Sequence, residues 1–140
     1  MNSKSYGHNI WLIPANENRF RMLDWMKTHD YISWDQHVNY QMGDEIYIYC
    51  SAPVKAIIGR CVVDKIKLRN YIDHEEDPYQ VPANSTRIAY PRVAAFIGLE
   101  RTYNQKELCF QNLINHGLKG SVQGPKKLSG ELLQYIEDNF

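Results

Sequence analysis

The chain has 140 residues, 44% of them hydrophobic and 12% aromatic, and its 16 Lys+Arg balance 16 Asp+Glu. A chain of this length closes about one core without disulfides or metal, and zero formal net charge excludes a long-range field that would pull the whole molecule onto nucleic acid or an anionic membrane. No apolar run approaches the roughly 18 residues of a membrane span and the opening MNSKSYGHN lacks a signal-peptide core, so the expected protein is soluble and cytoplasmic, with no membrane partner.

The segment HNIWLIPAN is a short apolar run ended by Pro14, the pattern of a buried first strand. Asn16 or Asn18 then caps an expected helix over about residues 17–29, in which Phe20, Leu23 and Met26 or Lys27 recur at helical spacing. YISWDQHVNY, residues 31–40, reads as a loop rich in flat rings and in side chains that both donate and accept hydrogen bonds. In MGDEIYIYC the turn pair Gly43-Asp44 precedes strict alternation, with Ile46, Ile48 and Cys50 on one side and Tyr47 and Tyr49 on the other. SAPVKA connects this strand to IIGRCVVDKI, a partner strand whose glycine marks a bulge, and the two form an expected hairpin.

From about residue 67 to 92 the chain turns polar and proline-bounded, and DHEEDPYQVPANS reads as a solvated excursion. RVAAFIGLERT returns to strand character, and NQKELCFQNLINHG reads as a helix with Leu108, Asn112 and Leu113 near one face and Gly117 ending it. GSVQGPKK is a short strand or loop. LSGELLQYIEDNF is a helix with Ser129 at its N-cap and Leu128 and Leu133 placed for a hydrophobic staple. The three cysteines are odd in number, show no C-x-x-C spacing and read as small buried apolar residues. This order fits a mixed, largely antiparallel sheet curled toward a barrel with helices at its sides better than a doubly wound parallel sheet.

The stretch SWDQHVNYQMGDEIYIYCSAPVKAIIGRCVV resembles the signature of the EVE domain, a member of the PUA-like superfamily that also holds the YTH and ASCH domains. The resemblance lies in Trp34, Gly43-Asp44, Tyr49-Cys50-Ser51 and the strand AIIGRCVV, then in Asp77-Pro78 and in the segment GSVQGP, residues 120–125. The pattern departs from the family where Lys119 and Gly120 precede Ser121 and where Gly124 separates Gln123 from Pro125. The resemblance implies a single α+β domain over residues 1–140, a PUA-like β-pseudobarrel flanked by helices, with an aromatic pocket for a modified or flipped-out base of DNA or RNA. Trp34 and Tyr49 would supply stacking faces, and Asn39, Ser51, Ser121 and Gln123 would read the base edge. Lys119, Lys126 and Lys127 would hold flanking phosphates. No cofactor, metal or nucleophile is expected, and any effector would be a separate protein.

Two other readings stand beside this one. An ASCH-like enzyme acting on a small modified nucleoside would need a pocket lysine near Glu or Thr, for which Lys55 and Lys119 are the candidates; a protein-interaction module would leave the pocket filled by its own side chains. Trp11 and Trp25 are assigned to core, Asp35-Gln36-His37 to the surface, and the acidic run His74–Asp77 to a solvated face.

Overall fold

The computed structural model describes residues 8–85 and 92–140; residues 86–91, the end of the polar excursion expected from the sequence, lie outside them. The elements are β1 (Ile10–Ala15), α1 (Met22–Trp25), β2 (Tyr31–Asp35), β3 (Glu45–Cys50), β4 (Ala56–Leu68), a 3-10 helix (His74–Tyr79), β5 (Val93–Arg101), α2 (Phe110–Asn115), β6 (Lys126–Lys127) and α3 (Gly130–Asn139). The strands form one open sheet in the order β2-β5-β4-β3-β1-β6. All neighbouring pairs are antiparallel except β1 with β3, which run parallel. The fold is thus the mixed, largely antiparallel pseudobarrel expected, with its sheet not closed on itself.

The period-2 pattern of β3 separates two apolar clusters. Ile46, Ile48 and Cys50 join Ile13, Trp25, Ile58 and Phe96, while Tyr47 and Tyr49 join Leu12, Ile57, Leu113 and Ile136. Both sides of the strand are covered, so tyrosines that would face water in a half-exposed sheet are buried here. The β3–β4 pair is the expected hairpin, and its register slips between Ile48 and Tyr49, opposite Ile57–Gly59. A Cβ at Gly59 would lie 2.4 Å from Met26 Cε and 2.6 Å from the Glu100 carbonyl oxygen, so the glycine lets three elements approach closely.

The structure corrects three local expectations. The helix expected over 17–29 shrinks to Met22–Trp25, because Glu17 reaches forward and accepts from the Met22 and Leu23 amides at 2.7 and 3.3 Å. Its carboxylate, rather than Asn16 or Asn18, caps the helix, and Asn16 instead accepts from Asn18 N in a local turn. Residues 31–35 are strand β2, paired with β5 from Tyr31↔Ile97 to Asp35↔Val93. The helix expected from Asn104 begins only at Phe110, since Asn104 is occupied by Thr102 Oγ1 and the Asn139 carbonyl. Ser129 sits at the N-cap of α3 without a side-chain bond, while Leu128 and Leu133 share one apolar cluster.

Candidate functional site

A cavity of about 690 Å³ opens where the end of β1, strand β2, the 3-10 helix and the loop before β6 converge. Pro14, Ala15 and Asn16 line it from β1, Ile32, Ser33, Trp34 and Asp35 from β2, and His37 from the segment after β2. Ser51 stands at the end of β3, Arg19 and Phe20 precede α1, and Glu76 and Gln80 come from around the 3-10 helix. Val122, Gln123, Gly124 and Pro125 close the remaining side.

The 3-10 helix is pinned in place. The Asp73 side chain accepts from Glu75 N at its start, Arg21 N donates to the Tyr79 carbonyl at 2.8 Å, and the Arg21 guanidinium donates to the Pro78 carbonyl at 2.9 Å. Tyr79 also packs in a ring cluster with Phe20, Trp25 and His29. On the neighbouring strand the Tyr31 hydroxyl donates to Glu75, and this bond, with burial second, pushes the phenol well above its usual range. One residue further along the helix, Glu76 is 3% exposed and accepts from Ser33 Oγ at 2.5 Å.

Trp34 is half-buried, pairs with Ala94 across the sheet and stacks near Phe96 with 6.3 Å between ring centroids. Ser51 and Gln123 share the cavity wall with it. The other residues read from the sequence are not brought there. Tyr49 is 4% exposed in the second apolar cluster, its ring 6.3 Å from Phe110, and burial raises its phenol above the ordinary value. Asn39 and Ser121 lie outside the lining, and both are exposed.

Of the basic residues, Lys126 Nζ donates to the Lys119 carbonyl at 3.3 Å, and Lys127 Nζ sits 5.5 Å from the centre of the Trp11 ring. Lys55 lies over Phe110 at 5.4 Å, and neither it nor Lys119 lines the cavity.

Seven polar lining residues were assigned elsewhere by the sequence or not singled out: Asn16, Arg19, Ser33, Asp35, His37, Glu76 and Gln80. Asp35 and His37 belong to a triplet read as surface, yet both line the cavity, and Gln36 between them is 8% exposed with its Oε1 accepting from Lys67 N at 2.9 Å. Glu76 belongs to the acidic run read as solvated; the run's other members are exposed or half-buried, while Glu76 turns inward to Ser33. Arg19 carried no motif, and it is exposed at the lip. The signal that could have found the strand-borne members is the alternation of Ser33 and Asp35, carried on by His37 just beyond the strand, which puts polar groups at every second position.

No metal-ligating group of three or more His, Cys, Asp or Glu occurs among the described residues, and no helix among them is long and apolar enough to cross a membrane. No protein-family model and no curated protein matches the chain. Solved structures do. An ASCH protein from Zymomonas mobilis superposes with TM-score 0.59 at 14% identity, covering 93% of this chain and 94% of that one. A hypothetical protein from Leishmania major gives 0.59 at 12% identity over 95% and 94%, and Rpa0253 from Rhodopseudomonas palustris gives 0.57 at 11% over 94% and 92%. At these identities the likeness is one of fold, and it extends over nearly the whole of each chain: this protein has the PUA-like fold that an ASCH domain displays.

Proposed function

We propose that the cavity is a nucleobase site of the EVE kind and that the chain works as one binding domain for a modified or flipped-out base in DNA or RNA. The observation that carries this reading is that Trp34, Ser51 and Gln123 line one cavity of about 690 Å³, within the range of sites that enclose small ligands. A base swung out of a duplex loses a few kcal/mol of stacking, which a receiving site must return through ring faces and edge hydrogen bonds. Trp34 contributes the ring, worth roughly 1–3 kcal/mol by alanine substitution, and Ser51 and Gln123 contribute groups that donate and accept. Burying one added methyl contributes only about 0.8 kcal/mol, so selection of a modified base depends mainly on shape and on polar groups that the wrong base leaves unpaired. Nucleic acid is accordingly the proposed partner.

The test is tryptophan fluorescence titrated with short DNA and RNA oligonucleotides carrying methylated, hydroxymethylated or unmodified bases. The expected result is saturable quenching by at least one modified oligonucleotide, weakened at least tenfold in Trp34→Ala while the circular dichroism spectrum is retained. Quenching that survives Trp34→Ala unchanged, or none across the panel with folded protein, rejects the site.

A further inference from the structure

The cavity is polar in a graded way. On its buried side stands Glu76, 3% exposed, with Ser33 Oγ donating to its Oε2 at 2.5 Å; Ser33 itself is 3% exposed. On its exposed lip stands Arg19. An acceptor inside and a cation outside are the reverse of a nucleotide read inward from the phosphate: anion first, then a base whose edge presents N–H donors. A carboxylate, when ionised, only accepts, so it discriminates sharply between an amino group and a carbonyl oxygen at the same place on a base.

We infer that Glu76 is a specificity-determining residue of the cavity, accepting a hydrogen bond from the exocyclic amino group of a base, so that the site takes amino-bearing bases such as cytosine and adenine and rejects their oxo counterparts. This assignment rests on the base-site reading above. The Ser33 bond and the pinned 3-10 helix hold the carboxylate at a fixed place rather than leaving it to swing into solvent. An oxo base held in the same pose would set a carbonyl oxygen where the amino group stood, an acceptor against an acceptor, and the hydrogen bond would go unmade.

Matched pairs exchange the amino group for an oxo group, and with it turn the neighbouring ring nitrogen from acceptor to N–H donor: cytosine against uracil, 5-methylcytosine against thymine, and adenine against hypoxanthine, each as one unpaired central base in an otherwise identical duplex. The expected result is a preference of roughly five- to 150-fold for the amino member of the pairs that bind, the range one good hydrogen-bonded edge contact supplies. Glu76→Gln, whose carboxamide can turn either its oxygen or its NH2 to the base, brings that ratio to within about threefold of one. Should Glu76→Gln fail to fold, Glu76→Asp withdraws the carboxylate by one methylene from the base edge, and the same ratio falls. Binding that depends on Trp34 yet shows an unchanged ratio in Glu76→Gln or Glu76→Asp overturns the role of Glu76 and leaves the base site standing. Absence of binding by every probe overturns the base site and this assignment with it.

Discussion

The indole Nε1–H of Trp11 donates to Asp44 Oδ2 at 2.9 Å, joining β1 to the turn that begins β3. The same carboxylate accepts from Gln41 N at 2.9 Å and, through Oδ1, from Asn9 N at 2.8 Å, and Asp44 is fully buried. The Gly-Asp pair of the sequence signature is therefore a fastening: Gly43 takes the positive φ of the turn, and Asp44 satisfies three N–H groups that would otherwise be orphaned.

Asp44→Ala accordingly strands three donors, one of them on a tryptophan only 8% exposed. The expected loss is about 3–5 kcal/mol of unfolding free energy, at the upper end for a single substitution. Asp44→Asn keeps one acceptor oxygen and costs less. Urea titration of the three proteins checks the order; an alanine variant within about 1 kcal/mol of the parent shows that water replaces the carboxylate.

Gly59→Ala tests the close approach of β4, β5 and the end of α1. The added methyl meets Met26 Cε, which can swing away, and the Glu100 carbonyl oxygen, which belongs to the paired strand and cannot. Overpacking of this kind costs about 1–3 kcal/mol. Trimming Met26 to alanine in the same chain should recover only a minor part of the loss, because the backbone clash remains; denaturant midpoints of the single and double variants decide it.

The parts of this fold that the sequence made legible are those written within one element. Alternation along Glu45–Cys50 gave the two buried sides of β3, and the glycine in IIGRCVV gave the bulge at Ile57–Gly59. What stayed hidden depends on partners far along the chain. Strand β2 is a strand because residues 93–97 pair with it, some 60 positions away, and its own five residues hint at it only through the alternation of Ser33 and Asp35. Glu76 could not be told from Glu75 by composition: both stand in one acidic run, and in the fold one turns inward to Ser33 while Tyr31 meets the other at the surface. Tyr49 beside Ser51 suggested a site, but the residue that covers it, Phe110, comes from α2.

Burial sets the behaviour of the cysteines. Cys50 is fully buried and its thiol is pushed up to about 11 from an ordinary 9.0, chiefly by desolvation; burial raises Cys61 as well, and Cys109 is half-buried. A thiol-disulfide reagent at pH 8 should therefore label Cys109 in the native protein and all three only in denaturant. The linkage has a definite sign. The unfolded chain releases the Cys50 proton near pH 9 while the folded chain holds it to about 11, so this contribution is fully present below pH 9 and is lost between pH 9 and 11. Cys50→Ala lowers overall stability through the lost packing, yet it should flatten the decline of unfolding free energy across that window, by at most about 1.4 kcal/mol per pH unit. An unchanged slope would assign the alkaline loss to other groups, among which the buried Tyr40 and Tyr47 phenols are also raised by desolvation.

The lysines around the loop before β6 make the last prediction, which follows from the proposed nucleic-acid partner. Lys119 and Lys127 are exposed and Lys126 is half-buried, so the group is able to meet phosphates flanking a base held in the cavity. Three contacts give a slope of log affinity against log salt of roughly −2 to −3, and removing one cation reduces its magnitude by about one while weakening all sequences alike. Lys127→Ala carries a second signature, because its ammonium lies 5.5 Å from the centre of the Trp11 ring: losing that contact costs about 0.5–1 kcal/mol of stability, which Lys119→Ala leaves intact. Base preference should be untouched in each, since phosphates carry no sequence information. A variant whose salt slope equals that of the parent removes that lysine from the phosphate path, and a changed base preference would place it at the base edge instead.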